Sequence, residues 1–176
     1  MSDIKVSINY YLLDSACIFD ALDRAMKLQP DFLNLFNEKS EQQLNSVAPY
    51  LFSYQNNSLF AKWVFENGWG NSWGVLFNAV LPKSNLQKHF RKLLLITTEK
   101  GEELYFRFYD PRVLKIFLPT CDQNQILEFF GPIESFICEG ETKDEAIRFW
   151  HQNGTLMQEV LTVEQVFGKT IQNVEI

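Results

Sequence analysis

The chain has 176 residues, of which 46% are hydrophobic and 15% aromatic, and its formal net charge is −6. This length suits one domain with its own core, and the acidic excess argues against a nucleic-acid-binding protein, which needs a basic surface for phosphates. No apolar run reaches the roughly 20 residues of a membrane helix and the start has no signal-peptide pattern, so we expect a cytoplasmic protein with no membrane or nucleic-acid partner.

The first half of the chain alternates between strand and helix patterns. Runs of apolar, aromatic and β-branched residues predict strands at residues 6–13, 50–54 and 73–81. After the first strand, Asp14 and Ser15 can cap a helix that Pro30 ends. The apolar face of that helix repeats at the helical period and consists of Ile18, Phe19, Leu22, Ala25 and Met26.

Two more helices are predicted before the third strand. Residues 38–46 are polar and are predicted to be helical. Ser58 can cap the next helix, and the Asn67-Gly68 pair supplies its C-terminal stop. The apolar stripe of this helix, which we expect to face the core, consists of Leu59, Phe60, Trp63 and Val64.

A helix and a hairpin follow. Ser84 with Gln87 three residues later is a capping-box pattern, and the helix that it opens would bury Leu86, Phe90 and Leu93. Residues 94–98 and 102–109 predict two antiparallel strands, because Gly101 between them can take the left-handed backbone of a tight turn. Alternation along the second strand would place Leu104, Phe106 and Phe108 on one face.

Two helix starts come next in the chain. Asp110-Pro111 predicts one of them, since an acid can cap a helix and proline fits the first turn without losing a needed hydrogen bond. Asp122 with Gln125 predicts the other, which ends at Gly131-Pro132.

The tail of the chain completes the predicted fold. Residues 133–159 predict two further strands joined at an Asn153-Gly154 turn, with a helix at residues 142–150 as the open alternative. Early β-helix-β units followed by late antiparallel hairpins predict the α+β class. We expect a single compact domain over residues 1–176, with a mixed sheet and helices packed on it.

Residues that could carry catalysis or bind metal are few. The two histidines, His89 and His151, lie near no GxSxG or cysteine signature that would supply a nucleophile. Cys17, Cys121 and Cys138 form no CxxC pair, so we expect buried thiols in a reducing compartment. No metal-binding or phosphate-binding motif is present. The sequence therefore predicts a protein that is not an enzyme and that has no metal and no cofactor.

The segment from Trp69 to Gly74 contains two Trp-Gly pairs around a polar turn. Glycine allows the close backbone approach or positive φ that a tight helix-to-strand connection demands. Trp69 and Trp73 then have two interpretations. Their indoles cover the core at a structural corner, or they anchor a partner, as tryptophans often do at interfaces.

The segment FRFYDPRVL, residues 106–114, combines a predicted strand end with a helix start. It brings Arg107 and Arg112 close to Asp110, where a planar guanidinium can bind the carboxylate bidentately. One interpretation is a structural ion pair that locks the corner. The other is a charged patch, with Tyr109 beside it, that a partner recognises.

Several motifs occur together along this chain, in the same order as in one known family. They are Tyr11-Leu12-Leu13-Asp14-Ser15-Ala16, Val47-Ala48-Pro49-Tyr50-Leu51, Trp69-Gly70 with Ser72-Trp73-Gly74, His89-Phe90-Arg91-Lys92-Leu93, Phe106 to Leu114, and Phe130-Gly131-Pro132. With them the sequence resembles the type VI secretion effector adaptors, also called effector chaperones. The resemblance covers roughly residues 8–135 and leaves a β-rich tail at residues 136–176.

The resemblance implies an adaptor that binds a toxic secreted effector in the cytoplasm and helps to load it onto the spike protein of the secretion machine. The candidate partner-binding residues are Trp69, Trp73, Arg107, Tyr109, Asp110 and Arg112. Two alternatives stay open: a small-molecule or nucleotide sensor that uses an aromatic-rich pocket, and an enzyme with an unfamiliar site on Arg107, Asp110 and Arg112. Partner binding would use a groove or a sheet edge.

Overall fold

A seven-stranded antiparallel sheet organises the computed structural model, which describes residues 6–36, 48–97 and 100–168. The order of strands across the sheet is β2-β3-β1-β4-β7-β8-β9. Their bounds are β1 Tyr10–Asp14, β2 Phe32–Asn34, β3 Pro49–Ser53, β4 Gly74–Ala79, β7 Ile133–Glu139, β8 Glu145–Gln152 and β9 Thr155–Thr162. A separate two-stranded sheet consists of β5 Leu95–Thr97 and β6 Glu103–Tyr105.

The α+β class is confirmed, but the strand directions differ from the mixed sheet that was expected. Every described strand pair is antiparallel. The β-helix-β unit from β3 to β4 does join two strands that run in the same direction. However, β1 lies between them and pairs antiparallel with both, so the two parallel strands never contact each other through backbone hydrogen bonds.

Six α-helices surround the sheet in the described ranges. They are α1 Leu22–Leu28, α2 Leu59–Gly68, α3 Lys83–Leu94, α4 Pro111–Phe117, α5 Gln123–Phe130 and α6 Val163–Phe167. Short 3-10 turns occupy Ser15–Cys17, Phe19–Ala21 and Leu118–Thr120. None of the helices in the described part of the chain is long and apolar enough to cross a membrane.

Most of the predicted helix caps are confirmed. The Ser58 hydroxyl accepts a hydrogen bond from the Ala61 amide at 3.0 Å, and Asp122 with Gln125 forms a complete capping box. The predicted cap at Ser84 is wrong, because α3 begins at Lys83 and its N-cap residue is Pro82, which offers no side-chain acceptor. The predicted burial of Leu59 is also wrong: this first residue of α2 is 70% exposed, whereas the other three members of the stripe are buried.

The first predicted helix and the helix at residues 38–46 have different outcomes. The segment after β1 is helical, but it is divided into two 3-10 turns followed by the short α1, which ends at Leu28 before Pro30. Asp14 caps the first of these turns by accepting a hydrogen bond from the Ala16 amide at 3.0 Å. The helix predicted at residues 38–46 lies outside the described residues.

The predicted β5–β6 hairpin is confirmed, with Leu95 paired to Tyr105, but its second strand is shorter than expected. After Tyr105 the chain leaves the strand and turns, and the Asp110 amide donates to the Arg107 carbonyl at 3.0 Å. The alternation of side chains between the two faces of the strand therefore stops after Tyr105. Leu104 is exposed and Phe108 is fully buried, so the prediction that they share a face is wrong.

The tail contributes three strands and a helix instead of two strands. The Asn153-Gly154 turn is confirmed, with both residues at positive φ, and it joins β8 to β9. The helical alternative for residues 142–150 is wrong, because β8 occupies most of that range. Since β7 pairs with β4, the tail strands extend the same sheet as the earlier ones.

The core is built largely from phenylalanine. Phe77 on the sheet packs against Phe90 of α3 with ring centroids 5.2 Å apart, and Phe90 stacks on Phe108 at 5.5 Å. Among the cysteines, Cys138 is buried and Cys121 half-buried, but Cys17 is exposed, contrary to the expectation of buried thiols. The turn Ser15–Cys17 buries Ser15 and leaves its other end at the surface.

Candidate functional site

The FRFYDPRVL segment follows β6 and leads into the start of α4, with Arg107 and Arg112 partly exposed along a mostly buried stretch. The carboxylate of Asp110 accepts a hydrogen bond from the Arg112 amide at 2.9 Å, and its carbonyl accepts one from the Leu114 amide at 2.9 Å. Pro111 occupies the first helical position, where its missing N–H costs nothing. The predicted Asp-Pro cap is confirmed, and it fixes the position from which Arg112 extends.

Arg112 binds Asp110 in the bidentate geometry that the sequence suggested. Its Nε lies 3.0 Å from Oδ1 and its Nη2 lies 2.7 Å from Oδ2. Burial alone would raise the pKa of the Asp110 carboxyl, but hydrogen bonds from Arg112 and the nearby charge of Arg107 outweigh burial and leave that pKa below its ordinary value. The Arg112 side chain itself stays 65% exposed.

Arg107 reaches a second carboxylate, which the sequence did not assign to it. Its Nη2 contacts Oδ2 of Asp14, whose side chain is completely buried at the end of β1, and it lies 3.9 Å from Oδ2 of Asp110. The hydrogen bond to Asp14, aided by the charge of that carboxylate, raises the pKa of Arg107 against the opposing effect of burial. The Arg107 side chain is 43% exposed, so it is partly accessible from solvent.

Tyr109 packs beneath these charges. It is buried, and its ring contacts Phe108 edge-on with centroids 5.6 Å apart. Burial and then the Asp14 carboxylate raise the pKa of the Tyr109 hydroxyl well above its ordinary value. Together, Asp14, Arg107, Tyr109, Asp110 and Arg112 form what we call the arginine corner: two arginines at the surface, each held by a buried carboxylate.

The tryptophan segment lies at the same end of the sheet. The Asp14 amide donates to the Trp73 carbonyl at 2.8 Å, which joins this segment to the arginine corner. Trp73 packs against Trp63 at 5.0 Å, whereas Trp69 lies edge-on to Phe167 at 4.8 Å and donates from Nε1 to the Lys143 carbonyl at 3.1 Å. Both indoles are half-buried, so each contributes to packing and keeps an accessible part.

Glu139, at the end of β7, holds the turn between the two tryptophans. Its Oε2 accepts hydrogen bonds from the Gly70 amide at 2.8 Å and the Ser72 amide at 3.1 Å, and its Oε1 accepts from the Ser72 hydroxyl at 2.9 Å. Gly70 and Ser72 both have positive φ, and their amides, on either side of Asn71, converge on one carboxylate. Sequence reasoning missed Glu139, since nothing around it in the sequence signals a partner 67 residues away.

An apolar groove of about 350 Å³ opens near the arginine corner. It runs between α3 and α5 and is bounded by the hairpin and the end of α4. Its lining residues are Lys92, Leu93, Ile96, Phe106, Phe117, Gln125, Glu128 and Phe129. Phe106 links the groove to the predicted site, because it lines the groove and immediately precedes Arg107 in the FRFYDPRVL segment. Sequence reasoning expected some groove or edge but did not locate this one.

Neither histidine belongs to the arginine corner. His89 Nε2 lies 2.9 Å from the Phe129 carbonyl, and burial lowers the pKa of its imidazole. His151 Nδ1 accepts a hydrogen bond from the Gly154 amide at 3.3 Å. Within residues 6–36, 48–97 and 100–168, no group of three or more His, Cys, Asp or Glu side chains is placed to hold a metal ion.

Comparisons with known proteins identify the family. No curated protein and no solved structure shows significant similarity to the chain. The family model described as a domain of unknown function (DUF4123) matches residues 9–128, which include the arginine corner, the tryptophan segment and most of the groove. Because this model spans well over half of the chain, the protein belongs to the DUF4123 family.

Proposed function

We propose that this protein is an adaptor that binds a type VI secretion effector in the cytoplasm and assists its loading onto the spike protein of the secretion machine. Membership of the DUF4123 family supports the proposal, together with the ordered motifs by which the sequence resembles known effector adaptors. The single structural observation that carries it is the arginine corner, where two surface guanidinium groups are anchored on buried carboxylates.

An anchored arginine suits protein recognition for an energetic reason. Binding a partner normally costs the conformational entropy of each side chain that becomes immobile. At the corner, the contacts with Asp14 and Asp110 already restrict Arg107 and Arg112, so less entropy remains to be lost. The exposed guanidinium edges can donate to carboxylates or backbone carbonyls of a partner, and arginine is enriched at interfaces for this reason.

The same chemistry argues against an enzyme at this corner. A general base needs a pKa near the working pH, but the Asp110 carboxyl is held below its ordinary pKa by Arg112. Tyr109 is buried and its hydroxyl pKa is raised, so it stays protonated. The two arginines can bind an anionic surface, whereas neither the Asp110 carboxyl nor the Tyr109 hydroxyl is suited to accept a proton.

A pull-down experiment tests the proposal directly. The chain is co-expressed with the effector encoded beside its gene, and the Arg112→Ala variant is compared with Arg148→Ala, whose arginine forms an ion pair with Glu159 elsewhere on the sheet. We expect the wild type and Arg148→Ala to retain the effector and Arg112→Ala to lose it, while circular dichroism shows that both variants remain folded. The proposal fails if the wild type never co-purifies with the effector and effector delivery survives deletion of the gene.

A small-molecule sensor is the second candidate, and the apolar groove is the observation that favours it. Its volume of about 350 Å³ falls within the range of ligand pockets, which are mostly apolar with a few polar groups. A thermal-shift screen against metabolites separates the two candidates. A sensor should gain stability with one class of metabolite, because a ligand that binds only the folded state raises the melting temperature, whereas an adaptor should not respond.

A further inference from the structure

The floor of the apolar groove is a preformed aromatic surface. Phe117 lies at the centre of it, with its ring centroid 4.6 Å from that of Phe106 and 5.4 Å from that of Phe129. Phe129 in turn packs against Phe108 and Phe136 of the core at 5.6 Å and 5.5 Å. Because these rings already support one another, an apolar side chain can enter the groove without repacking the protein beneath it.

Two opposite charges line the groove, one on each helix beside it. Lys92 belongs to α3 and Glu128 to α5. Neither side chain takes part in the ion pairs found within the described ranges. Each of them can therefore pair with a charge on whatever occupies the groove. An occupant that complements both charges must carry an acidic side chain on the α3 side and a basic one on the α5 side.

The apolar surface continues from the groove onto the β5–β6 hairpin. Leu95, Ile96, Leu104 and Tyr105 are each between 41% and 47% exposed, and Ile96 also lines the groove. Ile96 and Leu104 are cross-strand partners and lie on the same face of the hairpin, whereas the Leu95–Tyr105 pair faces the opposite side. Contiguous exposed apolar residues next to a groove mark an interaction surface longer than one side chain.

We propose that the groove binds an amphipathic α-helix of the partner protein, with its apolar stripe on the phenylalanine floor, an acidic side chain toward Lys92 and a basic one toward Glu128. This inference rests on the proposed adaptor function and deepens it. Six of the eight lining residues belong to α3, α4 and α5, and most backbone groups of an α-helix are bonded within the helix, so the groove offers few backbone partners to an extended strand. A helix satisfies its own backbone hydrogen bonds and can lay an apolar stripe into such a groove.

A display library of helical peptides tests whether the groove binds an amphipathic helix, and the effector need not be known. The peptides span about four helical turns, with apolar residues fixed at i, i+3, i+4 and i+7 and all flanking positions randomised. Selection uses the wild type and the double variant Lys92→Glu/Glu128→Lys. We expect wild-type binders with acids on one flank and bases on the other, and the reverse arrangement for the double variant, each preferred about fivefold by its own protein in fluorescence anisotropy.

Two single variants locate the binding surface. Ile96→Asp puts a charge into the groove, whereas Val160→Asp changes a β-branched strand residue of β9 that is 68% exposed and does not line the groove. Ile96→Asp should abolish peptide binding and Val160→Asp should leave it unchanged. The inference is overturned if no binder depends on Ile96, if the charge preference does not reverse, or if Val160→Asp alone abolishes binding, which would indicate strand addition at β9.

Failure of this inference is distinguishable from failure of the adaptor function. If the effector co-purifies with the wild type and also with Ile96→Asp, the adaptor function stands and the groove is not where it binds. If groove-dependent peptides are selected but the effector never co-purifies, the groove binds amphipathic helices and the assignment of the partner is wrong.

Discussion

Arg107 at the surface and Asp14 at the buried end of β1 are joined by a direct contact between Nη2 and Oδ2, although 93 residues separate them in the sequence. Asp14 also caps the turn that follows β1 and donates its amide to the carbonyl of Trp73. One residue thus connects the arginine corner, the tryptophan segment and β1. Any partner that contacts this end of the sheet meets groups whose positions depend on Asp14.

Replacement of Asp14 should therefore destabilise the whole protein. Asp14→Asn removes the charge that Arg107 pairs with and keeps the size of the side chain. We expect the free energy of unfolding to fall by about 2 kcal/mol, because a buried partner is lost while half-exposed Arg107 can partly return to water. Urea denaturation measures the change. Asp20→Asn, at an exposed position in the next turn, is the control and should change stability by less than about 0.5 kcal/mol.

The Asp110–Arg112 pair should make stability depend on pH in the acid range. The pKa of Asp110 in the folded protein lies below its ordinary value of 3.8, so its stabilising contribution is present above pH 3.8 and is lost as the pH falls through the lower, folded-state pKa. Asp110→Asn should therefore be less stable than the wild type at neutral pH. The difference should narrow in acid, where the wild-type carboxyl is protonated too.

Denaturation curves of the wild type and Asp110→Asn, recorded from neutral pH down into the acid range, check this prediction. Asparagine is a good helix cap, so the comparison isolates the charge from the cap. A stability difference that stays constant over the whole range would mean that the ion pair with Arg112 contributes nothing.

Glu139 should control the order of the turn between the two tryptophans. Glu139→Ala leaves the Gly70 and Ser72 amides without their acceptor, which we expect to cost about 1–3 kcal/mol of stability. Amide hydrogen exchange at Gly70 and Ser72 should accelerate. Glu141→Ala is the matched control, since Glu141 is 84% exposed and its nearest cation, Lys115, is 3.7 Å away. Unchanged exchange in Glu139→Ala would contradict a role for this carboxylate.

Gly74 should tolerate no side chain. A Cβ at this position would lie 2.1 Å from the backbone carbonyl oxygen of Leu12 on the neighbouring strand, so β1 and β4 would have to move apart. Gly74→Ala should lower the free energy of unfolding by about 3 kcal/mol or more. Gly101→Ala is the comparison, because its Cβ would meet nothing within 4 Å and only its positive φ costs energy, about 1 kcal/mol. Thermal unfolding of both variants tests the ranking, and equal losses would contradict it.

Local features were predictable from the sequence because their causes are local. The caps at Ser58, Asp110 and Asp122 depend on a side chain and an amide two or three residues further along the chain. The Asn153-Gly154 turn depends on two residues that tolerate positive φ. The bidentate pair of Arg112 with Asp110 also lies within one helix start, so the sequence predicted its geometry.

The sequence alone thus determined the α+β class, most helix starts, the hairpins and the chemistry of the FRFYDPRVL segment. Only the tertiary structure decided that β1 lies between β3 and β4, that Arg107 is anchored on Asp14, that Glu139 holds the tryptophan turn and that α3 and α5 enclose a groove. The physical reason is the same in each case. These contacts join residues far apart in the sequence, and their formation depends on how the whole chain packs rather than on the preferences of any short segment.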